Sequence, residues 1–470
     1  MEKINAREIV LDILLELSKQ NEYSNILIAS VLAKYDYLDS REKAFIKRVS
    51  EGTIERRIQL DYVLDQFSKV PAGKMKPLIR KLLRMSVYQI LFMENIPDAA
   101  VCNEAVKLAK KRKFQSLQGY VNGVLRTVAR KKEQIGYPDR ETQYIEYLSV
   151  CYSMPAWLVE HFCNAYGGEA CETILQSFMK RGAVGIRLQE TLDEIQREDL
   201  IRTWQQAGVQ VEKHPYLSYA VKVQKTDGIH SLAGYDEGAF AVQDISSMLV
   251  IEAAGIRHGD TVIDVCAAPG GKALHAADKL AGTGQVIACD VSTYKTDKIK
   301  ENMDRLHMTN VSVREQDARV SDKTMIGQAD ILIVDVPCSG LGVIGKKQDI
   351  KYHVTQESMK DIVMLQKEII ANVIHYLKPE GVMMYSTCTM NPAENEEMVD
   401  WICRGYDMEP ESMAQTMPEE LRGAADKGYI QLLPGIHGTD GFFIARLRRK
   451  TNNAERLNDK IQINNGMLAD

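Results

Sequence analysis

Two of the nine cysteines lie in short polar turns that follow apolar, Val- and Ile-rich runs. Cys338 lies in the run DVPCSG (335–340), and Cys388 lies in the run STCT (386–389). Most cysteines are buried in the protein core. They are inert there because the reactive form is the thiolate, which apolar surroundings disfavour. We assign that inert role to six of the others: Cys102, Cys151, Cys163, Cys171, Cys289 and Cys403. Cys338 and Cys388 are candidates for covalent catalysis, in which a thiolate adds to an electron-poor carbon.

A glycine turn and a set of aspartates predict a nucleoside ligand. The run DVCAAPGGK (264–272) places two glycines between a predicted strand and a helix, where the backbone can approach a ligand closely. Its spacing matches neither a phosphate loop nor a dinucleotide fingerprint. Asp290, Asp317 and Asp335 each follow a predicted strand; one alone could be a helix cap, but the three together would repel a phosphate.

S-adenosylmethionine fits these requirements, since it has a ribose, an amino acid tail and a positive sulfonium. An acid about twenty residues after the glycine turn, here Asp290, suits the ribose hydroxyls. The predicted cofactor-binding residues are Cys266, Ala267, Ala268, Pro269, Gly270, Gly271, Lys272, Asp290, Asp317 and Asp335.

Two thiols, a carboxylate and a methyl donor match methylation at carbon 5 of cytosine. That carbon is a poor nucleophile until a thiolate adds to carbon 6 while an acid polarises N3. The enzyme must then remove the C5 proton and expel the sulfur, and the base must leave its stack to reach the site. Position alone does not decide which cysteine attacks.

Elements that could position these residues alternate between strands and helices after residue 240. The predicted strands are Thr261 to Val265, Gln285 to Cys289, Val311 to Arg314, Ile331 to Val334 and Val382 to Tyr385. This alternation predicts a parallel sheet covered by helices on both faces, with ligands at the carboxyl ends of the strands. We therefore predict an α/β Rossmann-like methyltransferase domain over residues 240–450, followed by a polar tail over 451–470.

The first 135 residues read as helices. Val10, Ile13, Leu14 and Leu17 form one apolar stripe at helical spacing, and no segment there alternates as a strand. Residues 136–239 mix short strands and helices and are predicted to be a small α+β connector. The chain is thus predicted to be a multi-domain protein with an all-α front.

Charge separates the front from the rest. Residues 1–135 hold 25 Lys and Arg against 16 Asp and Glu, whereas the remainder holds 34 against 48. A basic domain on an acidic chain is typical of nucleic-acid contact, although a solvated lysine-rich helical face has the same composition. The densest cluster is Lys107, Lys110, Lys111, Arg112 and Lys113.

Composition also bounds the class of protein. An odd cysteine count without a Cys-x-x-Cys pair disfavours a disulfide scaffold and a zinc site, so we expect no metal. No stretch approaches the roughly 18 apolar residues of a membrane span. We expect a cytoplasmic protein without membrane contact, acting as a monomer.

The three motifs DVCAAPGGK, DVPCSG and STCT resemble those of the RNA cytosine-5 methyltransferases, as do QDISS (243–247) and DGFFIA (440–445). The runs REKAF (41–45) and YVNGVLR (120–126) resemble the NusB-like RNA-binding domain. The pairing is similar to that in the bacterial enzymes that methylate small-subunit rRNA, and the resemblance covers residues 1 to about 450.

The resemblance implies specific roles. Cys388 would be the nucleophile, Cys338 would act in product release, and Asp335 would contact the N3 edge of cytosine, with Lys272 a further contact to that base. The implied partner is 16S rRNA or an early small-subunit assembly intermediate, and the implied methyl donor is S-adenosylmethionine. Two runs depart from the family: GKKQD (345–349) replaces a more basic segment, and Arg187-Leu188-Gln189 replaces the usual Arg-x-Asn.

Two other classes of function remain open at this stage. The chain could be an RNA-binding protein whose rear fold is an inactive relic, although the intact cysteines and acids disfavour decay. It could also methylate DNA or a small molecule, although the basic front favours a large polyanion and the order of the cysteine motifs resembles that of RNA enzymes.

Overall fold

The computed structural model describes residues 5–19, 23–180, 182–226 and 228–450. Its helices are α1 (Ala6–Glu16), α2 (Ser24–Lys34), α3 (Ser40–Glu55), α4 (Arg57–Phe67), α5 (Pro77–Phe92), α6 (Asp98–Lys111), α7 (Gln118–Lys131), α8 (Tyr144–Cys151), α9 (Ala156–Tyr166), α10 (Gly168–Phe178), α11 (Glu194–Gln206), α12 (Ile245–Ala254), α13 (Gly271–Leu280), α14 (Thr293–Arg305), α15 (Ile350–His353), α16 (Gln356–Val373), α17 (Glu396–Gly405) and α18 (Glu419–Ala425). Its strands are β1 (Val184–Leu188), β2 (Gln210–Lys213), β3 (Ala220–Gln224), β4 (Phe240–Val242), β5 (Thr261–Asp264), β6 (Gln285–Asp290), β7 (Val311–Glu315), β8 (Ala329–Asp335), β9 (Leu377–Thr387), β10 (Met408–Pro410), β11 (Tyr429–Leu432) and β12 (Phe442–Arg449).

The chain divides into two compact units. The first unit contains residues 1–180 together with residues 344–354, and the second contains residues 181–343 and 355–470. The first unit therefore takes in helices α8 to α10 of the predicted connector, and the second takes in its strands. The domain limits at residues 135 and 239 stay predictions, and the predicted tail, 451–470, lies outside the described residues.

The described residues of the first unit form helices and no strand, as the sequence predicts for residues 1–135. Its core forms from apolar stripes at helical spacing, because residues three and four apart share one face of a helix. Val10, Ile13 and Leu14 of α1 are buried, and Leu17 packs against the same core. Asp39 caps α3 by accepting a hydrogen bond from the Glu42 amide.

The second unit contains two sheets. The smaller is antiparallel in the order β2-β3-β1-β4, and α11 packs beside it through the buried Trp204. The larger runs β10-β12-β9-β8-β5-β6-β7, with β11 paired to β12. Strands β5 to β9 are parallel, as predicted, but β12 and β10 are antiparallel, so the expectation of a wholly parallel sheet is wrong at this edge. Strand β12 follows α17, β10, α18 and β11 in the chain and returns beside β9 in the opposite direction, which the alternation pattern does not reveal.

Helices cover both faces of the larger sheet because its central strands are apolar on both sides. Along β8, Ile331 and Ile333 join the core that contains α12 and α13, whereas Leu332 and Val334 join the core that contains α16 and α17. Successive side chains of a strand point to opposite faces, so one apolar run supplies two cores. The α/β fold class and the all-α front predicted from the sequence are confirmed.

Within the described residues, no helix is both long and apolar enough to cross a bilayer.

A buried ion pair joins the smaller sheet to the α/β fold. Arg187 of β1 has 0% exposed surface, pairs with Asp278 of α13, and donates from Nε to Gln243 Oε1 at 3.0 Å. Gln189 is also buried and donates from Nε2 to the Leu306 carbonyl oxygen at 3.1 Å. Gln189, which replaces the asparagine of the usual Arg-x-Asn run, and Arg187 therefore both contribute to contacts inside the second unit.

We expect the Asp278→Asn variant to lower the free energy of unfolding of the second unit by about 3–5 kcal/mol, because the Arg187 guanidinium then stays buried without a counter-ion. Urea unfolding, followed by tryptophan fluorescence, measures this free energy. Trp204 and Trp401 lie in the second unit and report its unfolding. The matched control is Asp297→Asn, which breaks only a surface pair with Lys300 and should leave the transition unchanged. Equal transitions in the two variants would contradict the structural role of the pair.

Candidate active site

The two cysteines singled out by sequence lie side by side. Strands β8 and β9 are parallel neighbours, with Asp335 paired in register with Ser386, so the turns that follow them meet at one edge. The Sγ atoms of Cys338 and Cys388 are 3.2 Å apart, which is hydrogen-bond distance for two sulfurs. Both side chains are partly accessible. The site therefore presents a pair of thiols that can share one proton.

Their surroundings distinguish the two thiols. The hydrogen bond with Cys388, together with burial, holds the pKa of the Cys338 thiol well above its ordinary value. Glu394 and Asp335 add to the same effect, since nearby carboxylates disfavour a thiolate. The raised pKa favours the protonated form of Cys338, and in that form its S–H can donate to the sulfur of Cys388.

A buried lysine lies beside the thiols. Lys272, at the start of α13, donates from Nζ to Asp335 Oδ2 at 2.7 Å and lies over the ring of Phe442 at 5.1 Å. Ser386 donates from Oγ to the other oxygen, Asp335 Oδ1, at 2.7 Å. Although burial alone would lower it, the pKa of Lys272 lies above its ordinary value because Asp335 and Asp264 are close. Lys272 therefore stays charged and fixes the orientation of Asp335.

Three carboxylates surround the glycine turn. Burial raises the pKa of Asp264 to about 7, and Asp335 and Asp290 act in the same direction. The thiol of Cys266 lies among these carboxylates, and its pKa is raised by burial and then by Asp264, Asp290 and Asp335. Cys266 is thus an unreactive thiol in an electronegative pocket. Asp264 ends β5 and opens the DVCAAPGGK run, but it was not among the predicted site residues.

The Asp290 carboxylate stabilises the glycine turn. It is 3% exposed, its Oδ2 accepts from the Ala268 amide at 2.9 Å, and its Oδ1 pairs with Lys295 Nζ at 2.9 Å. The Val291 amide also donates to Oδ1 at 2.8 Å, so Oδ1 already has two donors, whereas Oδ2 has room for one more. Gly270 has a φ of +106°, a conformation that only glycine adopts without strain. Its amide donates to the Ala267 carbonyl at 2.6 Å, which closes the turn before α13 begins.

Asp317 is the one predicted site aspartate whose side chain the structure commits elsewhere. It lies two residues after β7 and forms a two-oxygen ion pair with the exposed Arg319, with the shortest contact at 2.7 Å. The hydrogen bonds from Arg319 lower the pKa of Asp317. Among the described contacts, none links it to Asp264, Asp290 or Asp335.

A buried carboxylate that sequence analysis did not identify positions the Cys338 turn. Glu394 has 0% exposed surface and accepts from the Ser339 amide at 2.9 Å and from Ser339 Oγ at 2.5 Å. Gln366 Nε2 and Asn391 Nδ2 also donate to it, at 3.1 and 2.9 Å. The only sequence signal is the polar run NPAENE (391–396) directly after the STCT motif. The spacing of residues in this run does not reveal that Glu394 contacts the turn that contains Cys338.

The neighbouring Asn395 does the same for the Cys388 turn. Its side chain accepts from Thr387 Oγ1 at 2.6 Å and donates to the Thr389 carbonyl at 3.1 Å. Ser339 and Thr389 join the two turns directly through their hydroxyls, 2.6 Å apart. Consecutive residues thus fix both cysteine turns in one connected network.

Glycine is required where the DGFFIA run meets the Cys338 turn. The Gly342 amide donates to the Cys388 carbonyl at 3.0 Å, and the Gly441 amide donates to the Gly342 carbonyl at 2.9 Å. A Cβ on Gly342 would lie 1.8 Å from the Gly441 carbonyl oxygen, so no other residue fits without displacing the backbone.

The basic cluster of the first unit is partly neutralised. Lys107 pairs with Glu104, Lys111 pairs with Glu8, and Arg112 pairs with both Glu8 and Asp12. Three of its five cations are therefore engaged by acids of the same unit. This favours the solvated-face interpretation over a dedicated phosphate-binding patch.

Comparison with known proteins extends over most of the chain. Residues 253–448 match the family of the 16S rRNA methyltransferases RsmB/F, residues 4–130 match the NusB family, and residues 154–230 match the ferredoxin-like domain of RsmF/B-like methyltransferases. These matches confirm the predicted pairing of a NusB-like front with a methyltransferase domain.

Individual relatives agree. A probable ribosomal RNA small subunit methyltransferase B of Bacillus subtilis is 36% identical over 458 residues, which cover 96% of this chain and 100% of that protein. A ribosomal RNA small subunit methyltransferase B of Pectobacterium carotovorum is 29% identical, covering 87% of this chain and 91% of the relative. The crystal structure of PH0851 has the same fold, with a TM-score of 0.76 and 22% identity, and covers 95% of this chain and 99% of that one.

We expect Glu394→Ala to separate the two thiols, because the Ser339 amide and hydroxyl lose their acceptor. Oxidised glutathione should join Cys338 to Cys388 about tenfold more slowly in the variant than in the unchanged chain, since misplacement by about 1 Å can cost ~10²-fold in rate. Mass spectrometry of alkylated peptides quantifies the disulfide. The control Glu397→Ala removes an exposed acid of the same segment and should behave like the unchanged chain. Equal rates in all three proteins would show that Glu394 does not set the thiol distance.

Proposed function

Because the chain belongs to the ribosomal RNA small subunit methyltransferase B family, we propose that it methylates carbon 5 of a cytosine in 16S rRNA, with S-adenosylmethionine as methyl donor. The observation that carries the cytosine-5 assignment is the pair of sulfurs, Cys338 and Cys388, at 3.2 Å beside the Lys272–Asp335 ion pair. Carbon 5 needs covalent activation at carbon 6, which requires one nucleophile and a separate group to manage release.

Cys388 is the proposed nucleophile. Its sulfur accepts from the Cys338 thiol, which stabilises negative charge on Cys388, and the charged Lys272 lies close enough to interact with it. A thiolate there can add to carbon 6 of the cytosine. Cys338 is the proposed group that assists departure of the product. After its own proton has passed to solvent, its thiolate takes the C5 proton, and the electron pair left at carbon 5 expels the Cys388 sulfur.

Asp335 and Lys272 are proposed to contact the base. The Lys272 ammonium is a hydrogen-bond donor suited to the N3 position, and the Asp335 carboxylate is an acceptor suited to the neighbouring amino group. Ser386 and Lys272 fix both oxygens of Asp335, so the pair presents one orientation to an incoming ring. Preorganised charges of this kind cost no rearrangement during reaction.

The turn at 266–271 is a suitable cradle for the donor. When bound, S-adenosylmethionine supplies an electrophilic methyl group on a positively charged sulfur. Asp264, Asp290 and Asp335 outnumber the lysines paired with them, Lys272 and Lys295, so the pocket favours a cation. Asp290 is proposed to accept one ribose hydroxyl on the open lone pair of Oδ2 and the second on Oδ1 in place of Lys295. Asp317 would reach the ligand only if it left Arg319.

The substrate is 16S rRNA or an early small-subunit assembly intermediate, and the target base leaves its stack to enter the site. The protein acts in the cytoplasm as a monomer and needs no metal. Glu190, Glu252 and His275 offer metal-ligand atoms close together, but Lys279 Nζ already pairs with both carboxylates, so a cation is supplied by the chain.

Substitution of each cysteine separates their roles. Cys388→Ala should give neither methylated RNA nor a covalent complex, because no nucleophile remains for carbon 6. Cys338→Ala should accumulate a protein–RNA adduct, because attack and methylation continue while release fails. Incubation with S-adenosylmethionine and a cytosine-containing 16S rRNA fragment, followed by denaturing gel electrophoresis, detects the adduct.

The matched control is Cys289→Ala, a buried thiol of β6 outside the pair, which should methylate without trapped adduct. An adduct with Cys388→Ala that disappears with Cys338→Ala would invert the assignment. If the unchanged chain transfers the methyl group but no variant forms an adduct, the covalent route is contradicted.

Cofactor affinity should depend on pH through Asp264. Its carboxyl, with a pKa near 7, favours a bound cation only when ionised, so the Kd for S-adenosylmethionine should fall by roughly tenfold between pH 6 and pH 8. S-adenosylhomocysteine carries the same amino acid tail on a neutral sulfur and should show a smaller change. Calorimetry with both ligands measures the difference, and Asp264→Asn should abolish it. A parallel pH dependence for the two ligands would exclude Asp264 as the cause.

A further inference from the structure

A basic pocket lies within the first unit, apart from the cysteine site. It encloses about 290 Å³ and is lined on one side by Arg57, Arg80, Lys81 and Arg84. Its lining also includes apolar and aromatic side chains, among them Leu14 and Tyr352. Nothing in the proposed methyl transfer uses this pocket, and its cations do not belong to the cluster at residues 107–113.

Most cations of this pocket lack the acidic partners that neutralise the cluster at residues 107–113. Arg84 forms an ion pair with Asp61, which lies outside the lining. Arg57, Arg80 and Lys81 have no ion pair with any carboxylate of the described residues. Burial, and then the adjacent arginines, lower the pKa of Lys81 to about 8. Crowded positive charge of this kind is relieved by a bound anion.

Two buried polar atoms of the pocket are left without partners. Arg80 Nε has no acceptor, and Asp349 Oδ1 has no donor, among the described residues. Asp349 is 4% exposed, and its other oxygen, Oδ2, accepts from the Ser24 amide at 2.5 Å. A buried donor or acceptor left unmade is costly, so both atoms point to a ligand with an anionic group and an N–H.

The aromatic wall suits a planar ligand. Arg57 lies over the Tyr352 ring at 4.6 Å, so a guanidinium plane and a phenol ring are already stacked beside the cations. Unpaired bases of RNA stack on aromatic rings and on guanidinium planes while their phosphates meet cations. The volume is near the lower limit of small-molecule pockets and suits one nucleotide.

We propose that this pocket binds one unpaired nucleotide of the RNA substrate, with its phosphate on Arg57, Arg80 and Lys81 and an N–H of its base on Asp349 Oδ1. The choice of RNA over another phosphate compound rests on the proposed function. The pocket would act as a second point of attachment that holds the RNA while the target cytosine reacts.

The test uses the full chain with two of the four pocket cations replaced, Arg80→Gln together with Lys81→Gln. The Kd for a labelled single-stranded 16S rRNA fragment, measured by fluorescence anisotropy over a series of salt concentrations, should rise about tenfold at low salt. The salt slope should fall by about 0.7 for each lost phosphate contact. The matched control, Lys69→Gln with Lys74→Gln, removes two exposed, unpaired charges of the same unit and should change the Kd less.

Two further measurements keep the result interpretable. Thermal unfolding should show no loss of stability in the pocket variant, because the change removes like charges; its affinity loss then reports the pocket and not misfolding. Cytidine monophosphate should compete with RNA in the unchanged chain and lose that competition in the variant. Equal competition in both proteins, or a Kd and salt slope equal to those of the control, would overturn the proposal.

The outcome is independent of the methylation chemistry. If the unchanged chain methylates cytosine while the pocket variant keeps its KM for RNA, the pocket assignment fails and the proposed function stands. If the unchanged chain binds RNA through the pocket but transfers no methyl group to carbon 5, the proposed function fails and the pocket assignment stands. Tight binding of the free mononucleotide with unaltered RNA affinity would exclude RNA as the occupant.

Discussion

Burial of the Glu394 carboxylate is the constraint on which the geometry of the thiols depends. A fully buried carboxylate is costly unless every lone pair is used, and within the described residues Glu394 has hydrogen bonds but no ion pair. Its donors come from the turn after β8, from α16 and from the run after β9. The carboxylate is satisfied only when these three segments adopt one arrangement. That arrangement is the one that brings the two sulfurs together.

The electrostatics of the site follow from the same parallel sheet. Parallel strands end at a common edge, so acids at the ends of β5, β6 and β8 lie near one another whether or not their chemistry favours it. Two lysines, Lys272 and Lys295, and amide donors from the glycine turn reduce this repulsion. The raised pKa of Asp264 reduces it further, since that carboxyl is then less fully ionised. The balance leaves residual negative charge where a cation can bind.

The sequence predicts the fold and which strand-end residues lie together, and where it falls short the causes are physical. Cys338, Cys388 and Asp335 lie close together, as expected, because polar turns after apolar runs mark the ends of buried strands. Asp317 was grouped with them by the same rule, but Arg319, two residues away, takes up its carboxylate. Glu394 and the pocket around Asp349 were missed because their partners are distant in sequence. Long-range side-chain contacts leave no periodic signal in the sequence. Strands β10 and β12 were not predicted for a related reason, because local spacing does not reveal the order in which strands pair.

Residues 344–354 belong to the first unit although more than 160 residues separate them from its other part. The Ser24 amide depends on Asp349, and the Glu55 carbonyl accepts from the buried Lys351 at 2.9 Å. During synthesis, the helical unit must therefore wait for these partners. At ~5–20 residues per second, the delay is roughly ten to thirty seconds. The nascent chain carries an incomplete helical unit while most of the second unit is still being made, so residues 1–180 expressed alone would represent that unfinished state.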